Sequence, residues 1–305
     1  MVDSVQSNAQ IMQKASRTGL VIPAFNIPYL PMMEPVIHAI VNEDVFALIA
    51  TARLEWTKFG AKGMAEIHAE YLRWEKPGYV RLHLDHIPVI DEDNQRVDYL
   101  PLIRQALDLG YASVMIDGSR LNLEENMAAT RQVVDLAHAA GVACEAELGA
   151  VMGHEAGPIP PYEELFASGR GFTDIEECKR FVRVTGCDWL SVAIGNIHGA
   201  VSGAARDAKK VEARLNLDHL DRLRQAAGIP LVLHGGSGVR RKYLLGAIAR
   251  GIAKVNVGTE IRQAYETSLR DSGKEAIAQQ AVYERTSWLL RDYFSLSGKR
   301  LQLVG

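Results

Sequence analysis

Three histidines and a set of carboxylates stand at the ends of apolar runs. In RLHLDHIPVID, residues 81 to 91, Asp85 and His86 close one such run; His198 follows WLSVAIG and His234 ends PLVLHGG. Asp117 ends SVMIDGS, Glu145 and Glu147 lie in ACEAELG, and Asn256 lies in KVNVGTE. Three neutral imidazoles that leave coordination positions open are the ligand set of a catalytic zinc, and a neighbouring carboxylate serves as a further ligand or orients one. Such an ion polarises a carbonyl or stabilises an enolate without needing a proton. Taken singly, each histidine reads as a hydrogen-bonded core residue. Convergence of all three at strand ends is what points to a metal.

Parity raises a difficulty within the first cluster. His83 lies two residues before Asp85 and shares its face of an extended strand, while His86 points to the other side. The expectation is therefore that the strand ends at Asp85 and the chain turns there, with His83 packing or supporting rather than ligating. His38, His68, His138 and His219 fall in helical stretches and receive no role. His154, in a long Gly/Pro-rich segment, is left open.

The elements that must position these residues are legible as alternation. Eight β-rich runs recur: GLVIPAFNI from Gly19, FALIATA from Phe46, YVRLHLDH from Tyr79, SVMIDGS from Ser113, ACEAELG from Ala143, WLSVAIG from Trp189, PLVLHGG from Pro230 and KVNVGTE from Lys254. Most are nearly continuous in apolar residues, as parallel strands covered on both faces are. Amphipathic segments separate them. NLEENMAATRQVVDLAHAAG carries Met127, Val133, Val134 and Ala137 near helical spacing and stops at Gly141; TDIEECKRFVRVTG opens with Thr173 as expected N-cap, Glu176 three residues on, and ends at Gly186. The repeated strand and helix, without linker or composition shift, indicates a (β/α)8 barrel over residues 1–305 as a single domain, with a C-terminal helical extension from about Asp271. In that extension Trp288, Leu289, Leu290 and Tyr293 offer a surface that covers the barrel or faces a partner. In such a barrel the C-terminal strand ends form the active face, which is where the polar residues fall.

Composition narrows the partners. The 34 basic and 37 acidic residues are interspersed and sum to −3, so no electrostatic footprint for nucleic acid or an anionic membrane exists. No apolar run approaches the ~20 residues that span a bilayer, and the first segment lacks the apolar centre of a secretion signal, which places the chain in the cytoplasm. Cys144, Cys178 and Cys187 show no CxxC spacing and read as reduced, buried thiols.

Anion binding has its own signature. HGGSG at 234 to 238 (Gly235, Gly236, Ser237) and NVGTE at 256 to 260 (Asn256, Gly258, Thr259) each follow a strand and open a helix, so backbone N–H groups there can meet a phosphate. They follow the seventh and eighth strands, where barrels commonly hold phosphate. Gly199 directly follows His198. Two segments exceed ordinary loop length, IPVIDEDNQRVDYLP and AVMGHEAGPIPPYEELFASGRGF; the second is the expected active-site flap. No HExxH, GxxxxGK[ST] or strand-bound GxGxxG occurs.

The ordered set AFNI, HLDH, SVMIDGS, EAELG, VAIGNIHG, LVLHGGSG and KVNVGTE resembles the class II, zinc-dependent ketose-bisphosphate aldolases, from about Val21 to Ile261. The resemblance implies that His86, His198 and His234 hold Zn2+, with Glu147 as an alternative or auxiliary ligand. It makes Asp85 the acid/base at the C4 hydroxyl of a ketose phosphate and matches Glu155 to the glutamate that exchanges the proton on the enediolate carbon. It also puts the dihydroxyacetone phosphate end on Gly199, Gly235, Ser237, Asn256 and Thr259, with a monovalent cation (Na+ or K+) nearby, and implies a homodimer or homotetramer. Gly258 stands where fructose-bisphosphate enzymes usually carry Asp, the segment IDEDNQRVDY is an unusual acidic insert, and no basic residue for a second phosphate is evident. A ketose 1-phosphate and a ketose 1,6-bisphosphate, fructose- or tagatose-like, both stay open as substrates. A metal-dependent hydrolase and a non-catalytic sugar-phosphate-binding or assembly subunit of the same fold are the alternatives.

Overall fold

Runs almost unbroken in Val, Ile, Leu and Ala can bury both faces only if helices cover one and a barrel interior the other. That is how they are used. The computed structural model describes residues 6–149, 162–196 and 213–305. The strands are β1 (Ile22–Asn26), β2 (Ala47–Ala52), β3 (Val80–Pro88), β4 (Ser113–Asp117), β5 (Ala143–Leu148), β6 (Trp189–Val192), β7 (Leu231–Leu233) and β8 (Ile252–Val257). Each pairs in parallel with the next, and β8 pairs back onto β1 to close the barrel. A helix follows every strand, as expected of a (β/α)8 barrel.

Phe25, Phe46, Phe181 and Trp189 are fully buried among the aliphatic strand residues. Each such side chain contributes about 1.5–3 kcal/mol relative to an exposed position. The helix Asn8–Thr18, capped by Ser7 and closed by Gly19 in the left-handed region, seals the N-terminal end. Its Asn8 donates to Ser113 Oγ at 3.0 Å and accepts from Arg81 at 2.8 Å, tying it to the starts of β4 and β3. Only the C-terminal end remains as a mouth.

The C-terminal extension covers the barrel. Helix Glu275–Trp288 packs on Thr259–Ser272 and on Met33–Asn42, and the following turn Leu289–Tyr293 buries Leu289, Leu290 and Tyr293, while Trp288 stays 37% exposed. Cys144, Cys178 and Cys187 are buried free thiols. Among the described residues, no helix is long and apolar enough to cross a membrane.

Two local expectations are corrected. Helix Ile175–Thr185 does end at Gly186, but its N-cap is Asp174, whose side chain accepts from the backbone of Glu176 and Glu177. Thr173 is spent otherwise: its hydroxyl donates to the Leu148 carbonyl at 2.5 Å and accepts from Ala193 N at 2.9 Å, joining the ends of β5 and β6. The second correction concerns β3, which does not end at Asp85 but runs to Pro88. Against β4, Leu84 pairs with Val114 and Ile87 with Ile116, so β3 holds one extra residue between these pairs. This is a β-bulge, and His86 adopts a left-handed φ of 31° within it.

Candidate active site

The bulge resolves the parity difficulty. An inserted residue rotates the strand locally, so Asp85 and His86 both reach the barrel mouth although they are adjacent in sequence. The His86 N–H is met by Met115 Sδ at 3.4 Å, which compensates part of the lost ladder bonding. His86 Nδ1 lies 3.2 Å from Asp117 Oδ2 and 3.9 Å from Glu147 Oε2. The His86 and His234 rings stand 4.3 Å apart, and His234 Nδ1 lies 2.8 Å from Glu147 Oε2. Ligand atoms of Asp85, His86 and His234 fall within 4.8 Å of one another, as do those of His86, Asp117 and Glu147.

Asp85 is clamped. Asn26 Nδ2 donates to Oδ2 at 2.9 Å, and Asn256 Nδ2 reaches both carboxylate oxygens at 2.9 Å. Asn256 was expected at the phosphate end of a substrate. Its amide nitrogen donates to Asp85, while its buried Oδ1 has no hydrogen-bond partner among the described residues. Burial opposes the charge on Asp85, but the charges of His86 and Lys254, with His83 close by, outweigh it and hold the carboxyl well below the usual carboxylate range. The same opposition pushes His86 up to about 10 in the metal-free protein: burial lowers it, and Asp85, Asp117 and Glu147 raise it further.

Below this tier lies a second polar layer. His83 sits where its parity puts it, with Nδ1 2.8 Å from Ser113 Oγ and Nε2 3.4 Å from Glu145 and 3.6 Å from Asp85. The set His83, Asp85 and Glu145 also has metal-like spacing. A cation is already present there: Lys254 Nζ is 2.7 Å from Glu145 and 3.6 Å from Asp85.

The anion-binding expectations fall on the opposite side of the mouth. Gly235 takes a left-handed φ of 66°, and Gly236–Gly238 form a single 3-10 turn, so the long helix after β7 begins only at Arg241. A Cβ on Gly236 would lie 2.1 Å from Val255 Cγ1, so any larger residue must displace Val255. Tyr293 props this turn from beneath, donating to the Gly236 carbonyl at 3.0 Å and contacting that of Val239. After β8, Gly258 is the N-cap and Thr259 the first residue of helix Thr259–Ser272. Of Ser237 only the backbone is described. His198, Gly199 and Glu155, with His154 and most of the expected flap, lie outside the described residues.

The family model for fructose-bisphosphate aldolase class-II matches residues 6–296. This chain belongs to that family. It is therefore a lyase of the aldolase class. The YdjI aldolase of Escherichia coli K12 is 27% identical, with a TM-score of 0.75, over 97% of this chain and 99% of the other. A candidate fructose-1,6-bisphosphate aldolase of Coccidioides immitis is 26% identical, with a TM-score of 0.73, over 95% of this chain and 96% of that one.

Several residues of this aldolase carry geometry that the sequence reading did not assign. Asn26 holds Asp85, Asp117 orients His86, and Lys254 with Trp189 surrounds Glu145. For Asn26 and Lys254 the signal was available: each is a polar residue inside an apolar strand, which is unexplained until a partner is found. The acidic insert is also ordered. Asp91 is buried, pairs with Arg53 at 3.2 Å, and its carbonyl accepts from Arg120 at 2.7 Å. Lys58 pairs with Asp93. The insert thus straps the loop after β2 to the loop after β4, across the top of β3.

Proposed function

We propose that this aldolase reversibly cleaves a ketose 1-phosphate or ketose 1,6-bisphosphate, fructose- or tagatose-bisphosphate-like, into dihydroxyacetone phosphate and an aldehyde. Zn2+ is held by His86, His198 and His234, with Glu147 as auxiliary ligand. The observation that carries this reading is Asp85: a buried, ionised carboxylate held by two asparagines beside two imidazoles and Glu147. The donor set fits zinc, which accepts imidazole nitrogen and carboxylate oxygen: His86 Nδ1 and His234 Nδ1 lie 3.9 and 2.8 Å from Glu147 Oε2, close enough to share a single ion. When bound, the ion supplies a Lewis acid for the ketose carbonyl.

The chain's own residues supply the rest. Asp85 removes the proton from the C4 hydroxyl, with Asn26 and Asn256 fixing its two oxygens against rotation. The bond between C3 and C4 then breaks, and Glu155 returns a proton to C3. Backbone N–H groups of Gly199, Gly235, Gly236, Ser237, Gly258 and Thr259 hold the phosphate, with a monovalent cation alongside, which fixes the reacting carbons in register with Asp85. Asn256 Oδ1 is placed to accept a substrate hydroxyl. The Coccidioides protein is named for fructose-1,6-bisphosphate; for this chain a ketose with an uncharged aldehyde half and a bisphosphate are both kept as substrates. Residues 1–305 act as one catalytic domain, in the cytoplasm, as a homodimer or homotetramer without nucleic-acid or membrane partners.

The test is elemental analysis for zinc together with retro-aldol assays that detect dihydroxyacetone phosphate from a panel of ketose phosphates, with and without chelator. Chelator-sensitive release from one substrate is the expected result. Full zinc content without release from any member of the panel would contradict it.

A further inference from the structure

We propose that Glu145 is a positioning residue that fixes His234 in its metal-ligating tautomer, and that Trp189 and Lys254 hold Glu145 for that purpose. The inference rests on the metal reading above and extends it to four residues in or directly after consecutive strands, β5 to β8. Glu145, His234, Trp189 and Lys254 are all fully buried. Glu145 Oε2 receives the Trp189 indole N–H at 2.6 Å and the Lys254 ammonium at 2.7 Å. Both of those groups can only donate. Glu145 Oε1 then faces His234 Nε2 at 2.9 Å as an acceptor.

A neutral imidazole carries one N–H, and an acceptor at one ring nitrogen draws the proton there. Both ring nitrogens face a carboxylate, so the acceptors alone do not select a tautomer; an ion at Nδ1 would take the place of any proton there and leave the N–H at Nε2 to Glu145. Nδ1 is the atom directed at Glu147 Oε2, 2.8 Å away, among the groups assigned to zinc. The arrangement is a carboxylate, histidine and metal relay in which the carboxylate's orientation is set in turn by two donors that no water replaces. It also explains a lysine inside an apolar strand, which the reaction itself does not use.

The charge pair should be removed as a unit, because taking away one member strands the other in the barrel while replacing both is often neutral for folding. In the double variant Glu145→Gln with Lys254→Met, the amide oxygen takes the Trp189 N–H and the amide NH2 faces His234, which moves the ring proton to Nδ1. Zinc affinity, read by chelator competition, should fall about 10- to 100-fold. In zinc-loaded wild-type protein labelled with 15N histidine, His234 should give a slowly exchanging Nε2–H resonance, absent in the double variant and faster to exchange in Trp189→Phe, where Glu145 loses one of its two donors. The wild-type resonance tests the inference even if the double variant does not fold. A wild-type protein without that resonance, or a folded double variant binding zinc within about twofold of wild type, would overturn the inference and leave the metal reading standing. Wild-type protein that takes up no zinc would overturn the metal reading and this inference with it.

Discussion

The two sides of the barrel mouth are built by opposite means. Around β3 the chain carries an extra residue and a strained histidine so that two adjacent side chains point the same way, and an ion-paired insert straps the rim. Around β7 and β8 side chains are absent: Gly235, Gly236 and Gly258 leave the turns as bare backbone, where the proposed phosphate would sit, and a tyrosine from the C-terminal turn supports the first of them. The difference follows from the chemistry. Proton transfer and metal ligation need specific side chains at fixed positions, whereas holding a phosphate needs only N–H groups and space.

The comparison breaks most visibly at His86. His86→Ala and His86→Gly should both lose activity and zinc by more than about 100-fold, since even a residue that only supports a ligand costs 10- to 100-fold. Their stabilities should differ in the direction opposite to an ordinary strand. At a φ of 31° a Cβ costs about 1–2 kcal/mol, so the Gly variant should unfold at higher denaturant than the Ala variant. The reverse order would remove strain from the account of β3.

On the same side, Glu55 is buried next to Asn26 and Asp85, with its Oε2 accepting the Ala52 N–H at 2.8 Å. Burial, reinforced by Asp85, pushes its carboxyl from 4.5 up to about 8. The folded protein thus binds this proton more tightly than the unfolded chain, and its contribution to stability falls as pH rises from about 4.5 to about 8, then levels off. Glu55→Gln should stabilise the metal-free protein by a few kcal/mol at pH 8.5 and by nothing at pH 4.5, as read from urea midpoints. Equal midpoint shifts at both pH values would contradict the assignment.

On the glycine side, Gly236→Ala forces a Cβ onto Val255 and should cost about 1–3 kcal/mol while raising KM for the phosphorylated substrate. Gly258→Ala meets nothing closer than Asn26 Cβ at 3.4 Å and should change stability by less than about 0.5 kcal/mol. Tyr293→Phe removes only the prop beneath the turn, at about 1 kcal/mol. A larger loss in Gly258→Ala than in Gly236→Ala would reverse the ranking of the two loops.

How much of this was legible in the sequence divides along the same line. The eight strands were readable because parallel strands declare themselves as apolar runs, and the turns at HGGSG and NVGTE because tight turns after a strand favour small residues. The β3 side was only partly readable. Period-two alternation put Asp85 and His86 on opposite faces, and nothing local distinguishes a strand that ends from one that bulges. That Asn256 also donates to Asp85 was not legible, because the two lie on strands far apart in sequence. Lys254 read as a strand residue until Glu145 was seen 2.7 Å from it. Thr173 and Asp174 are adjacent residues that can each cap the helix, and sequence does not rank them; Asp174 fills the role.

The central claim is that Asp85 moves the proton while the histidines hold the ion. Asp85→Asn keeps the size and shape of the side chain between Asn26 and Asn256 but removes the base. The measurement is zinc content and kcat for cleavage, taken on the same preparation. The account predicts full zinc occupancy with kcat lowered by about 10²- to 10⁴-fold. Cleavage within about tenfold of wild type, with zinc bound, would contradict it.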